Sequence, residues 1–430
     1  MDDPAFELET DLSTQSILLA AANHDITALR DLLRNTSANV QDLETGFTPL
    51  HAAIAALEPD DKPSGDEKLN GHTNGESPEE PAAERKEEIE AAVKTMKLLF
   101  QNGAIWNDLD AQGETPGCIA YRLGLRELYE LCVDAGVRAE LLLSRMDEYQ
   151  LLGDAGSDDD EDEDEEEEEE GEEVVVVGET GDIMAEEDMA TSEAMGLAPG
   201  DESTQSANYL SSTLKFDRDR LLDESDNGVM MAWETTLMRR SAELLVPTEG
   251  LRVLNVGHGM GIIDGIFQEK KPKAHHIIEA HPDVLKRMKE QGWHEKPGVV
   301  VHEGRWQDIV PGLVEKGDLF DAIYFDTFAE EYKALREFFT ESVIGLLDPA
   351  GGSDGEGGKF GFFNGMGADR QVAYDVYNKI VEMDLFEAGF DTEFETIPVP
   401  DLDSEGEWEG VRRKYWVLKD YKLPTCTFIG

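Results

Sequence analysis

Basic residues are scarce in this chain. Among 430 residues, 37 Lys and Arg stand against 95 Asp and Glu, a formal net charge of -58 at pH 7. So large an acidic excess argues against direct nucleic-acid binding and against an anionic membrane as partner. It favours a basic protein or a cationic small molecule instead. Cysteine is also sparse: Cys118, Cys132 and Cys426 are too few and too scattered for a disulfide framework or a zinc site. No His/Cys/Asp cluster has ligand spacing, so no metal is expected. No apolar run approaches the ~20 residues of a membrane span, and the opening MDDPAFELETDL lacks the basic-then-apolar order of a signal peptide. The expectation is a soluble monomer of a reducing compartment, cytoplasmic, with nuclear access left open because no clear basic import stretch is present.

Composition divides what remains. Residues 1–153 carry -18, residues 154–205 carry -24 without a single Lys or Arg, and residues 206–430 carry -16. In the first zone, ILLAAANHDITALRDLL (17–33) has the periodicity of two short helices joined by a polar turn. Thr48-Pro49 and Thr115-Pro116 lie 67 residues apart, one ~33-residue ankyrin period plus an insert of about 34 residues. The insert is EPDDKPSGDEKLNGHTNGESPEEPAAE (58–84), too poor in apolar residues to fold. Pro sets the start of each helix and Thr can cap it. TPLHAAI (48–54) resembles an ankyrin repeat closely and TPGCIAY (115–121) less so, the similarity covering about residues 15–145. His51 is then a buried hydrogen-bonding tie between repeats. The expected layout is an all-α ankyrin-like domain over 1–150, with 58–84 disordered, followed by an acidic disordered linker over 151–205. In that linker SDDDEDEDEEEEEEGEE (157–173) repels itself. VVVV (174–177) can pair only transiently. The tract is a solvated spacer or an acidic lure for a basic substrate.

From residue 206 onward, apolar runs alternate with helical periodicity. RVLNV (252–256), HIIEA (276–280), VVV (299–301), DAIYFD (321–326) and KFGFF (359–363) read as buried strands. HPDVLKRMKEQG (281–292) and EEYKALREFFTESVIGLL (330–347) read as helices, the latter with Leu335, Phe338, Phe339, Val343, Leu346 and Leu347 on one face. This alternation predicts a doubly wound, Rossmann-like α/β domain over 206–430. RKYWVL (413–418) and TCTFI (425–429), flanking a turn with Pro424, are expected to pair antiparallel at the sheet edge.

The first strand ends in Gly257-His258-Gly259-Met260-Gly261, where glycines permit a tight turn and close approach to a ligand. Glu279 ends the second strand and can accept hydrogen bonds from a ribose diol. A dinucleotide fingerprint wants glycine at 262, which is Ile, so the loop suits S-adenosylmethionine better. After the third strand, Trp306 can lie on an adenine face or simply pack in the core, and Gln307 or Asp308 can bond the exocyclic amine. Asp326 ends the fourth strand at the rim where ligands bind in open α/β folds, with N-capping of the next helix as its alternative. Glu234 is either a ligand-holding carboxylate or the helix-surface partner of Arg239 or Arg240. His258 reads as a loop-packing residue.

GVMMAWETTLM (228–238), VLNVGHGMGIID (253–264), IIEAHPDV (277–284), EGRWQD (303–308) and YFDTF (324–328) together resemble guanidinoacetate methyltransferase and its fungal relatives. Ankyrin-like repeats joined to such a domain resemble the fungal protein-arginine N5-methyltransferases, also called type IV, over nearly the whole chain. The resemblance implies S-adenosyl-L-methionine as cofactor. Gly257, Gly259, Met260, Gly261, Ile262, Ile263 and Asp264 would lie along its methionine part, and Glu279, Ala280 and His281 at the ribose. Trp306 and Gln307 would hold the adenine. Met230 and Met238 match cofactor-touching positions, and either Tyr209 or Phe216 closes over it. Asp326, also beside the cofactor, and Glu234 match the acids that hold a guanidinium. Asn364 follows the fifth strand and is expected to face the substrate; 348–360 is a surface insertion.

The activity implied is methylation of the δ (N5) nitrogen of an arginine in a basic protein, a large-subunit ribosomal protein. Two carboxylates suit this chemistry: a bidentate grip fixes the guanidinium and localises its charge, and Asp326 accepts the proton. The alternatives are methylation of a small guanidino compound such as guanidinoacetate, or a non-catalytic ankyrin adaptor.

Overall fold

The computed structural model describes residues 4–59, 80–154 and 206–430, apart from 218, 353, 354 and 356. The chain falls into two compact units divided between Glu187 and Asp188. Residues 60–79 of the expected insert and 155–205 of the expected linker, VVVV included, lie outside the described residues. No helix among the described residues is long and apolar enough to cross a membrane.

The first unit is helical. Its helices are α1 (Pro4–Ala22), α2 (Ile26–Leu32), α3 (Pro49–Ala55), α4 (Glu80–Gln101), α5 (Pro116–Arg122) and α6 (Arg126–Asp154). Thus 80–84 and 151–154, read from composition as insert and linker, are helical backbone at the ends of α4 and α6. Charge density depresses folding on its own, but a helix already nucleated by packed residues extends cheaply into polar sequence. Both Thr-Pro pairs start helices as expected, and Thr115 accepts the Cys118 N–H at 3.2 Å. His51 is fully buried. Its Nδ1 accepts the Thr48 N–H at 3.1 Å, which leaves Nε2 to donate to the Glu114 carbonyl at 3.1 Å, 63 residues away. The tie joins one Thr-Pro segment to the other, as its position in TPLH suggested. Between helices the chain runs out as fingers that pair: the Ala111 N–H donates to Thr45 O at 2.9 Å. Gly46 lies at φ +69°, and a Cβ there would meet Ala111 N at 2.6 Å.

The second unit opens with helix α7 (Ser206–Ser211) and a small antiparallel meander of β1 (Lys215–Phe216), β2 (Arg220–Leu222) and β3 (Gly228–Met231). A seven-stranded sheet follows. It comprises β4 (Arg252–Val256), β5 (Ala274–Glu279), β6 (Val299–Glu303), β7 (Ala322–Phe325), β8 (Lys359–Phe362), β9 (Phe390–Pro398) and β10 (Asp420–Phe428), in the order β6-β5-β4-β7-β8-β10-β9. β4 to β8 are parallel, and β10 runs antiparallel to both neighbours. Because side chains alternate, Val253, Ile277, Ala322 and Tyr324 enter one core, and Leu254, Val256, Ile278, Ile323 and Phe325 enter another. All six apolar residues expected on one face of 330–347 join the second of these cores. This helical stretch contains a π-turn at Phe338–Val343.

The sheet edge corrects one expectation. β10 pairs with β9, not with 413–418, and Pro424 sits inside β10 opposite Phe394. RKYWVL alternates like a strand, yet Trp416 and Leu418 are drawn into a third core with Leu402, Trp408 and Tyr421. That segment is a strap running beside the carboxyl ends of the strands.

Candidate active site

The order of strands reverses between β4 and β7, so the loops leaving their carboxyl ends part there and open a crevice. They stay in contact at its floor. The Asp326 N–H donates to Val256 O at 2.8 Å. A Cβ on Gly257, at φ +93°, would meet the Asp326 carbonyl at 1.9 Å. Gly259 and Gly261 also have positive φ; side chains there would strike Met230 at 2.8 Å and His258 at 2.7 Å. The loop then feeds helix α8 (Ile262–Glu269), whose first N–H groups face the crevice end. Met260 and Ile262 remain partly exposed on the loop, whereas Ile263 turns into the core.

Glu279 pins this loop. Its Oε2 accepts the N–H groups of His258 at 2.9 Å and Gly259 at 3.3 Å, and its Oε1 accepts that of His281 at 2.7 Å. Behind the loop lies a second brace. Asp264, fully buried, accepts from His258 Nδ1 at 2.6 Å, His275 Nε2 at 2.8 Å and Asn255 Nδ2 at 2.8 Å. Burial alone would raise this carboxyl, but the two imidazoles hold it down to about 2. Asp264 is therefore a support behind the crevice and not part of its lining. His258 packs in the loop as expected.

Two further expected residues are spent structurally. His281 caps its helix through Nδ1, 3.2 Å from the Asp283 N–H, and gives Nε2–H to Tyr209 O at 3.0 Å. Met238 is fully buried in the core, while Met230 Sδ accepts the Met260 N–H at 3.3 Å. Ala280 stays half-buried beside Glu279. Of the two aromatics, Tyr209 comes to the crevice, its ring 4.8 Å from those of His281 and Phe328. Phe216 instead packs under the Arg287 guanidinium, 4.4 Å away. Trp306 is buried edge-on to Phe325 and Phe338. Beside it Gln307 keeps a buried Oε1 without a partner, whereas Asp308 is exposed. Asn364 does not face a ligand: its Nδ2 bridges Asn378 Oδ1 at 2.8 Å and Lys422 O at 2.9 Å.

The two carboxylates meet here. Glu234 ends a short 3-10 turn after β3 and is 2% exposed. It is not paired with the neighbouring arginines, because Arg239 bonds Glu269 at 3.1 Å and Arg240 bonds Glu395 at 2.9 Å. Its Oε1 takes the Met231 N–H at 2.9 Å and the Tyr415 hydroxyl from the strap. Burial, and then the charge of Asp326, push the Glu234 carboxyl well above its usual range, against those two hydrogen bonds. Asp326 is raised likewise, by burial and then by the Asp264 charge, and its Oδ2 is enclosed without a hydrogen-bond partner. Two carboxyls held together in a half-dry pocket, one with an unsatisfied oxygen, are chemically able to receive a planar cation.

Sequence reasoning missed Tyr415 and Glu330. Tyr415 lies 181 residues from Glu234, in a segment misread as a strand. Glu330, just after Ala329 at φ +57°, accepts the Trp306 Nε1–H at 3.1 Å and the Gln307 Nε2–H at 2.9 Å.

Comparison with known proteins agrees with this geometry. The family model described as guanidinoacetate N-methyltransferase matches residues 198–353, which include the glycine loop and both carboxylates. The chain is 56% identical to "Protein arginine N-methyltransferase 2" of Aspergillus fumigatus, with 100% of each chain covered, and equally so to that of Emericella nidulans. The protein of the same name in Neurospora crassa is 46% identical over 97% of this chain and 96% of that one. The chain belongs to the family of fungal proteins named protein arginine N-methyltransferase 2.

Proposed function

We propose that this protein transfers a methyl group from S-adenosylmethionine to the δ (N5) nitrogen of an arginine in a basic protein, a large-subunit ribosomal protein. The observation that carries the reading is the pair Glu234 and Asp326, both raised by burial, Glu234 further by the charge of Asp326 and Asp326 by that of Asp264, with Asp326 Oδ2 unpartnered. The catalytic unit, 206–430, acts as a monomer in the cytoplasm, with 1–150 and 151–205 serving to dock the basic partner.

The crevice fits the cofactor on its own observations. The glycine loop admits no Cβ at Gly257, Gly259 or Gly261 without a contact under 3 Å. Glu279 has lone pairs left for a ribose diol after its loop bonds, and Gln307 Oε1 awaits a donor. When bound, S-adenosylmethionine supplies an electrophilic methyl on a sulfonium. Tyr209 closes the aromatic side. Glu234 and Asp326 grip the terminal guanidinium nitrogens, fix its rotation, and draw positive charge to the nitrogens they touch, which leaves the internal nitrogen the better nucleophile. Positioning of this kind contributes ~7–11 kcal/mol in favourable cases. Asp326 takes the released proton.

The deciding experiment incubates labelled cofactor with extract from cells lacking this protein. A labelled protein band whose hydrolysate contains δ-methylarginine supports the reading, and ω-methylarginine alone overturns the N5 assignment. The match of 198–353 to the guanidinoacetate family favours a second reading, a small guanidino substrate. Label confined to small molecules would establish it.

A further inference from the structure

We propose that Glu330 sets the base specificity of the cofactor crevice by fixing which end of the Gln307 amide faces the ligand. The inference rests on the reading of this crevice as an S-adenosylmethionine site, and adds to it a positioning residue that acts through Gln307.

An ionised carboxylate only accepts hydrogen bonds, and an indole N–H only donates. Glu330 receives both the Trp306 Nε1–H, at 3.2 and 3.1 Å to its two oxygens, and the Gln307 amide at 2.9 Å. Only the NH2 end of Gln307 can face that carboxylate. Turning the amide over would set its carbonyl against Glu330 and forfeit a charge-assisted hydrogen bond. The orientation is thus decided by chemistry. Its consequence is the buried Gln307 Oε1, which has no partner in the protein.

A lone buried acceptor at the mouth of β6 selects a ligand that offers a donor there. Adenine has its 6-amino group. Hypoxanthine has a carbonyl in the same place, and would set acceptor against acceptor. If the amide were free to turn, Gln307 would present NH2 to hypoxanthine and the two bases would bind alike. Glu330 removes that freedom. Its own placement is held by the loop after β7, where Ala329 adopts φ +57°, a conformation that a non-glycine residue keeps only when its surroundings impose it.

The test compares binding of S-adenosylhomocysteine with its inosine counterpart, S-inosylhomocysteine, to the full-length protein by calorimetry. The wild-type protein should prefer the adenine compound by roughly 100-fold or more, as sites built around a buried polar partner do. In Glu330→Gln the new amide can either accept from the Gln307 NH2 or donate to its carbonyl, so the preference should fall by about tenfold or more. Glu330→Ala, which leaves the Gln307 amide without a tether, should lower it similarly. A merely structural role would weaken both ligands together and leave their ratio unchanged. A folded variant of either kind that keeps the wild-type ratio overturns the role of Glu330, as does a wild-type protein that binds both ligands equally. Failure of the wild-type protein to bind S-adenosylhomocysteine at all would instead overturn the cofactor reading beneath it.

Discussion

At the scale of single residues, the two hydrogen bonds on Glu234 Oε1 divide its labour between the fold and a ligand. Tyr415 donates to the charged form and so opposes the upward pull of burial. Removing that donor in Tyr415→Phe should raise the carboxyl further. The acidic limb of a kcat/KM profile should then move to higher pH, with a loss of ~10-fold in the rate at neutral pH. Asp326→Asn keeps the shape of its socket but removes its charge. It should reduce kcat by ~100–1,000-fold while calorimetry shows cofactor affinity unchanged. Both acids are raised in the ligand-free protein, first by burial and then by a neighbouring carboxylate, and the positive charge of a bound guanidinium opposes both effects. Binding of the arginine substrate should accordingly release on the order of one proton, measurable by calorimetry in buffers of different ionisation enthalpy. Uptake of protons would contradict the assignment. Asp326, Glu234 and Glu279 were legible in the sequence because each sits in a short motif at a strand end or helix start. Tyr415 and Glu330 were not, because their partners lie 181 and 23–24 residues away, and only folding brings them together.

At the scale of elements, strands β4, β5, β7 and β8 announced themselves because parallel strands covered on both faces read as short, mainly apolar runs. β9, FDTEFETIP, did not: it is an edge strand whose exposed positions carry Asp, Glu and Thr. RKYWVL misled for the converse reason, since aromatic residues there serve the strap and its core. The glycine loop offers the clearest test at this scale. Gly257→Ala would place a methyl 1.9 Å from a backbone carbonyl, at φ +93°. No side chain can swing aside to relieve that contact. The substitution should cost about 3 kcal/mol and lower the urea midpoint of the catalytic unit. It should also abolish cofactor binding in whatever fraction remains folded.

For the whole molecule, charge is the dominant fact, and -24 of it lies in residues 154–205. If that tract recruits a basic partner, its pull is long-ranged and screened by salt. KM for a basic protein substrate should rise by ~10-fold between 50 and 300 mM salt, while cofactor affinity stays nearly constant. Deleting 157–173 should raise KM at low salt and flatten that dependence without changing kcat. A salt response unaltered by the deletion would remove the tract from substrate capture.

The sheet order also has a consequence for biosynthesis. Among the described residues β9 bonds only to β10, and β10 is the strand that lies between β8 and β9. A ribosome therefore delivers β9 before the strand that joins it to the rest of the sheet. At ~5–20 residues per second, the 21 residues that separate Pro398 from Asp420 keep β9 waiting for seconds with its ladder groups unpaired. During that interval the nascent chain carries an open strand edge. A holding chaperone acting on the emerging carboxyl-terminal half would find its target there.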